Sequence, residues 1–125
     1  MAHGRVRRAA LAVLTAPMLA ACSPGPGAAS GEREERAAGV VALEKYGCGS
    51  CHRIPGVAGA HGDLGPPLVQ MADRVYIGRG LPNTPENMRR WIQSPQSIAP
   101  GTAMPDQEVS AHEARVMTTY LLGRE

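Results

Sequence analysis

Cys48-Gly49-Ser50-Cys51-His52 is the stretch from which the rest of the chain is best read. Two cysteines three positions apart, with a histidine directly behind them, form the attachment pattern of a c-type haem. The two thiols project from one turn of chain and can add to the two vinyl groups of one porphyrin edge. His52 then lies beneath the iron, where its imidazole can act as the proximal ligand. Gly49 leaves the backbone free to turn closely against a flat macrocycle.

A Cys-x-x-Cys pair also suits a redox dithiol, half of a zinc site or a structural disulfide. A dithiol calls for a strand before the pair and a helix opening on it, and neither pattern is present. A zinc site needs four ligands, and the chain holds no second pair, with three cysteines in all.

The chain has 125 residues, which predicts one small domain. It has no Phe, one Trp and three Tyr. A domain this small and this poor in large aromatics has difficulty filling a core from its own side chains, and a haem can act as the missing apolar centre. Formal charge is +2. Without Arg5, Arg7 and Arg8, which fall in a leader, 10 basic residues stand against 11 acidic ones. Nothing in this balance points to nucleic acid.

The first 21 residues read as an export signal: a basic start with Arg5, Arg7 and Arg8, then a short apolar run broken by Thr15 and Pro17. The run is shorter than the ~20 residues a spanning helix needs. It ends in Leu19-Ala20-Ala21-Cys22, which resembles the lipobox of bacterial lipoproteins. That resemblance implies lipid on Cys22, and more than one acyl chain gives lasting membrane attachment. Cys22 then takes lipid, Cys48 and Cys51 take haem, and no thiol is left over. Ser23-Pro24-Gly25-Pro26-Gly27-Ala28-Ala29-Ser30 reads as a tether without regular structure. The expected division is a signal over 1–21, a lipidated cysteine and tether over 22–31, and a domain over 32–125.

Beyond the tether, a first helix is expected over 32–46, with Ser30 as N-cap. Gly39, Leu43 and Tyr46 form its inward face, and Gly47 ends it. A loop rich in Gly and Pro follows. It leads to Gly65-Pro66-Pro67-Leu68, where a rigid proline carbonyl suits the far nitrogen of a ligating imidazole. A short helix is expected over 68–76, carrying Met71 and Arg74, then a turn around Gly78, Gly80 and Pro82. Thr84-Pro85-Glu86 is a helix start, and that helix stops before Pro95. With three prolines and a glycine, 94–107 is expected to be irregular. Ser110 and Glu113 form a capping box that opens the last helix, which is expected to cross the first.

Candidates for the sixth iron ligand are His61, His112, Met71, Met88, Met104 and Met117. Met71, Met88 and Met117 fall on helices, where methionine is more often core filler. His112 lies in a solvated first turn, and His61 in the loop on the proximal side, so His61 stays open as an alternative. Met104 sits in a stiff irregular loop, after Gly101-Thr102-Ala103 and before Pro105, that can present a thioether at fixed depth. A His/Met pair raises the reduction potential and leaves no open position for a substrate.

The order of helix, Cys-x-x-Cys-His, Gly-Pro-x-Leu, Trp-bearing helix, Met-Pro loop and capped last helix resembles a small bacterial class I cytochrome c, monohaem and His/Met-ligated, here in lipoprotein form. The resemblance covers about 36–122. It implies an all-α fold of three to five helices around one covalent haem c. It implies thioethers at Cys48 and Cys51, His52 as proximal and Met104 as distal ligand, and Pro66 as the acceptor for His52. Arg74 and Trp91 resemble residues that stabilise a haem propionate, and Gly39 and Tyr120 those where the terminal helices cross. Two features depart from mitochondrial relatives: the spacing before Cys48 differs by one, and the stretch from Trp91 to Met104 is shorter.

The run from Leu81 to Asn87 through Trp91-Ile92 also resembles cytochrome c domains found with respiratory oxidase components. Arg53, Arg79, Arg89 and Arg90 offer either a docking patch for an acidic partner or plain solvated surface. The function expected is that of a one-electron carrier, not an enzyme, in an exported respiratory chain. Its partners would be redox proteins and a membrane, with no nucleic acid or small-molecule substrate. The alternatives are a fixed subunit of an oxidase or dehydrogenase complex, or a ligand-sensing or peroxidase-like haem protein should Met104 dissociate. The expected location is the periplasmic side of a bacterial membrane, the outer one favoured because Ser23 is not the aspartate associated with inner-membrane retention.

Overall fold

The computed structural model describes Met1 and residues 26–123. The leader beyond Met1, Cys22 and the first residues of the expected tether lie outside the described residues.

Helix α1 spans Pro26–Lys45. Residues 32–45 carry the helix-forming Glu, Arg and Ala that the sequence reading relied on, yet the helix begins earlier, inside the stretch read as an unstructured tether. Ser30 therefore lies within the helix and not at its N-cap. Small residues such as Ala28, Ala29 and Ser30 can continue a helix once the Glu-, Arg- and Ala-rich turns beside them have formed. Gly39, Ala42 and Leu43 face inward with Tyr46 half-buried, while Ala37, Val41 and Glu44 face out. Gly47, at φ +64°, turns the chain away.

The last helix, α4, spans Ala111–Leu122 and buries Ala114, Val116, Met117, Thr118 and Leu121. Its start is the capping box: Glu113 N donates to Ser110 Oγ at 3.2 Å and Ser110 N to Glu113 Oε2 at 3.3 Å. The two terminal helices pack across each other at Gly39. A Cβ there would sit 2.6 Å from the Val116 carbonyl oxygen and 2.7 Å from Tyr120 Cβ, so only glycine admits this approach.

Glu113 also staples the end of α1 to the start of α4. Its carboxylate accepts from Lys45 Nζ at 2.5 Å, Tyr46 Oη at 2.7 Å and Ser110 Oγ at 2.6 Å. These bonds, that of Lys45 foremost, hold its pKa down to about 2. The same carboxylate raises the pKa of Lys45 and of Tyr46.

Between the terminal helices, residues 68–76 do not form the expected helix. They give a single 3-10 turn, Met71–Asp73, entered through Gln70 in the left-handed region at φ 49°. Side chains take the carbonyls a helix would use. Asn83 Nδ2 donates to Met71 O at 2.7 Å and Arg74 O at 2.8 Å, and Arg74 Nη2 donates to Pro67 O at 2.6 Å and Val69 O at 3.2 Å. Tyr76–Ile77 (β1) then pairs antiparallel with Leu81–Pro82 (β2). This small hairpin, turned through Gly78 and Gly80 at φ 52° and 88°, is a departure from an all-helical chain.

Helix α2 spans Pro85–Gln93, with Thr84 Oγ1 accepting from Asn87 N at 3.2 Å. The stretch 94–107 is not wholly irregular: Pro95–Ile98 forms a one-turn helix, α3, led by Pro95, where proline again removes no needed bond. Among the described residues, no helix is long and apolar enough to cross a membrane.

Candidate functional site

Residues 47–52 wind as one tight turn. Ser50 N donates to Gly47 O at 3.0 Å, and His52 N to Cys48 O at 3.0 Å. Two glycines keep the turn clear, since a Cβ on Gly49 would meet Ala60 Cα at 2.7 Å and one on Gly62 would meet Cys51 C at 2.5 Å. The loop that follows is tied back onto the motif by Gly62 N to Gly49 O at 3.0 Å and Gly65 N to Cys51 O at 2.7 Å. From the far side, Tyr120 Oη donates to Pro55 O at 2.5 Å, so α4 holds this loop as well as α1.

His52 is half-buried, with Nδ1 2.7 Å from the Pro66 carbonyl oxygen. A carbonyl only accepts, so Nδ1 carries the proton and Nε2 keeps its lone pair for a metal. The ring lies so close to Gly65 that a Cβ there would sit 2.7 Å from Nδ1. Cys48 and Cys51 are free thiols, both half-buried. Burial raises the Cys48 thiol pKa, the opposite of the depressed value that activates a redox dithiol.

Two adjoining cavities open on this motif, of about 330 Å³ and about 460 Å³. They share Cys48, His52, Ile92, Met104 and Met117 as lining. The smaller is otherwise mostly apolar, with Leu43, Leu68, Met71, Ile77 and Met88 among its walls, and it also touches Pro66, Arg74 and Trp91. The larger carries Cys51, Leu64, Gly65 and Ala103. The structure thus gathers Cys48, Cys51, His52, Pro66, Arg74, Trp91 and Met104 around these two adjoining spaces, while Cys22 lies outside the described residues.

Their surroundings differ in detail. Arg74 points its guanidinium at the carbonyls of Pro67 and Val69, and the Trp91 ring lies against Gly78, where a Cβ would be 2.8 Å from Cζ3. Of the ligand candidates, His61 and His112 are exposed and line neither cavity, and His112 Nδ1 is 3.2 Å from Arg115 Nη2. Met71, Met88 and Met117 are buried. Met104 and Met117 both face the two cavities, but only Met104, half-buried, lies in a loop. Among the described residues, no group of three or more His, Cys, Asp or Glu converges as a metal cluster would.

No family model matches the chain, and no solved structure matches it. A curated protein does. The similarity is to cytochrome c oxidase subunit 2. That protein, from Alkalihalophilus pseudofirmus, is 31% identical over 80 residues, which cover 63% of this chain and 22% of the relative. The chain therefore spans about a fifth of the length of the curated relative it matches, and over that stretch it is similar to a component of respiratory electron transfer.

Sequence reading passed over three positions that shape the site. Gly65 carries a legible signal, the Gly-Pro-Pro run, because a small residue beside a proline marks close approach. Asn83 and Gln96 carry none, since each acts through an amide that reaches backbone groups in other segments.

Proposed function

We propose that this chain is an exported, lipid-anchored carrier of single electrons in a respiratory chain, with the fold of a small class I cytochrome c. Haem c would be held covalently through Cys48 and Cys51 and axially by His52 and Met104. The observation that carries the reading is that one imidazole and one loop thioether line the same two cavities, with the imidazole committed at Nδ1 to Pro66.

The residues present fit such a group. The smaller space, of about 330 Å³, is walled mainly by apolar side chains such as Leu43, Leu68, Met71, Ile77 and Met88, a lining that suits a large apolar occupant. A copper centre would need several nitrogen and sulfur donors together, and the absence of such a cluster among the described residues speaks against it. Bound haem supplies a one-electron Fe(III)/Fe(II) couple. Cys48 and Cys51 fix its edge, Pro66 holds the His52 ring, and the apolar lining excludes water and so favours the less charged reduced state. With His52 and Met104 both bound, no coordination position is left for a substrate, which makes this a carrier and not an enzyme.

A reduced-minus-oxidised spectrum of the purified protein tests the reading. The pigment is expected to resist extraction by acid acetone. The weak red-end band of iron–sulfur ligation is expected in the wild type and absent in Met104→Ala, and carbon monoxide is expected not to bind readily. An extractable pigment, or an unchanged Met104→Ala spectrum, overturns it. The similarity to an oxidase subunit favours a second reading, a fixed subunit of a terminal oxidase. Detergent extraction and sizing separate the two, since co-migration with a large haem complex retires the free carrier.

A further inference from the structure

We propose that Gln96 is a positioning residue that sets how firmly Met104 is presented to the iron. The inference rests on Met104 as an axial ligand and adds to that reading the device that controls it. Gln96 lies half-buried in α3, and its side-chain amide spans the loop that carries Met104. Nε2 donates to Thr102 O at 2.8 Å and to Met104 O at 2.7 Å, while Oε1 accepts from Gly101 N at 3.1 Å. Its own backbone N–H donates to Asp106 Oδ1 at 3.2 Å, so the loop is tied to α3 on both sides of Met104.

The chemistry of these partners fixes the amide. Two of them are carbonyls, which only accept, and the third is an N–H, which only donates. A flipped amide would set its oxygen against both carbonyls, so one orientation satisfies all three. Pro100 and Pro105 bracket the loop and lack N–H groups, Gly101 turns it at φ 79°, and a backbone bond of its own, Thr102 N to Ala99 O at 3.0 Å, leaves the Thr102 and Met104 carbonyls to Gln96. One side chain therefore replaces the secondary structure that this segment lacks. Removing it strips Thr102 and Met104 of the donors on their carbonyls and lets the thioether withdraw.

An external ligand that enters only when Met104 is off the iron reports that equilibrium, because its apparent affinity scales with the fraction of open protein. The test uses the ferric holoprotein titrated with imidazole, followed by loss of the red-end iron–sulfur band. Gln96→Ala is expected to bind imidazole about 10- to 100-fold more tightly than wild type, the effect of losing two amide-to-carbonyl bonds. Gln96→Glu places a carboxylate before the same two carbonyls and is expected to match Gln96→Ala at neutral pH. On acidification its protonated form can donate to one carbonyl again, so the ratio of its affinity to that of wild type, taken at each pH, is expected to fall. A residue that merely stabilises the fold gives no such pH-dependent ratio.

Gln93→Ala is the control, because it loses one similar bond, Nε2 to Val109 O at 3.1 Å, without touching the Met104 loop. Its affinity is expected to stay within twofold of wild type. Should Gln96→Ala fail to fold, Gln96→Glu, of the same shape, decides the matter. A Gln96 variant within twofold of wild type, or an equal shift in Gln93→Ala, overturns the inference while leaving Met104 as ligand. A red-end band that survives Met104→Ala overturns the axial reading itself, and this inference with it.

Discussion

Replacing Gly65 with alanine tests how closely the His52 ring is seated. The Gly65 backbone does not need the left-handed region, so alanine brings only volume. Its Cβ would lie 2.7 Å from Nδ1, against the ~3.5–4.0 Å of an ordinary contact, an overlap of about 1 Å. Neither side has room to recede. Gly65 N is bound to Cys51 O at 2.7 Å, and the ring is bound to Pro66 O at 2.7 Å. Overpacking of this kind costs about 1–3 kcal/mol, which for a domain of this size lowers the thermal midpoint by roughly 5–20 °C. If His52 holds a haem iron as proposed, a ring that yields loses strength in its bond to Pro66 and becomes a poorer electron donor, which would destabilise Fe(III). A differential loss of about 1 kcal/mol raises the reduction potential by roughly 40 mV, at ~59 mV per tenfold for one electron. The assays are thermal unfolding and potentiometric titration of the holoprotein. A Gly65→Ala protein with the wild-type midpoint and potential would show that the ring is not held against this glycine.

Three further expectations follow from the packing of the terminal helices. Glu113 has a folded pKa of about 2 against an ordinary 4.5. The stability it contributes is therefore complete above pH ~4.5 and is lost as pH falls toward 2; Glu113→Gln should flatten that part of an acid-unfolding curve, and an unchanged curve refutes the staple. Gly39→Ala drives a Cβ against the Val116 carbonyl, and after the ~1 kcal/mol gained by replacing a helical glycine a net loss of up to about 2 kcal/mol is expected. Urea unfolding measures it, and a rise in midpoint would contradict the close crossing. Tyr120→Phe removes the donor to Pro55 O and should cost about 1–3 kcal/mol, since the carbonyl is left without it. Amide exchange over residues 53–62 should quicken in that variant, and unaltered protection there would count against the anchor.

Local signals in the sequence translate directly into structure. Thr84 and Ser110 cap their helices because a hydroxyl three residues ahead of a free N–H needs no distant partner. Gly47 ends α1 because it alone there takes a positive φ without strain. Met71, Met88 and Met117 are buried, as expected of core filler, although Met71 sits in a 3-10 turn and not on the helix which that reading assumed. The departures share a cause. Residues 68–76 lose their helix to amide and guanidinium groups from Asn83 and Arg74, and such side-chain-to-backbone bonds leave no period to read. The turn of α3 comes from proline at a first helical position, where composition suggests a break and geometry allows a beginning, and the helical backbone of 26–31 shows that a stretch rich in small residues can follow a neighbouring helix. At the site, the tight turn over residues 48–52 was legible because its residues are contiguous in the chain, whereas the bonds from Gln96 to the Met104 loop depend on a meeting of two segments in space.

The bond from Tyr120 to Pro55 has a bearing on timing. Chains are made from the amino end, so Cys48 and Cys51 leave the ribosome while α4 is still unmade. Until that last helix arrives, the loop behind the two thiols is tied to the motif by Gly62 N to Gly49 O and Gly65 N to Cys51 O. Its arrival adds the Tyr120 bond to Pro55 O and completes a site in which both thiols stay half-buried.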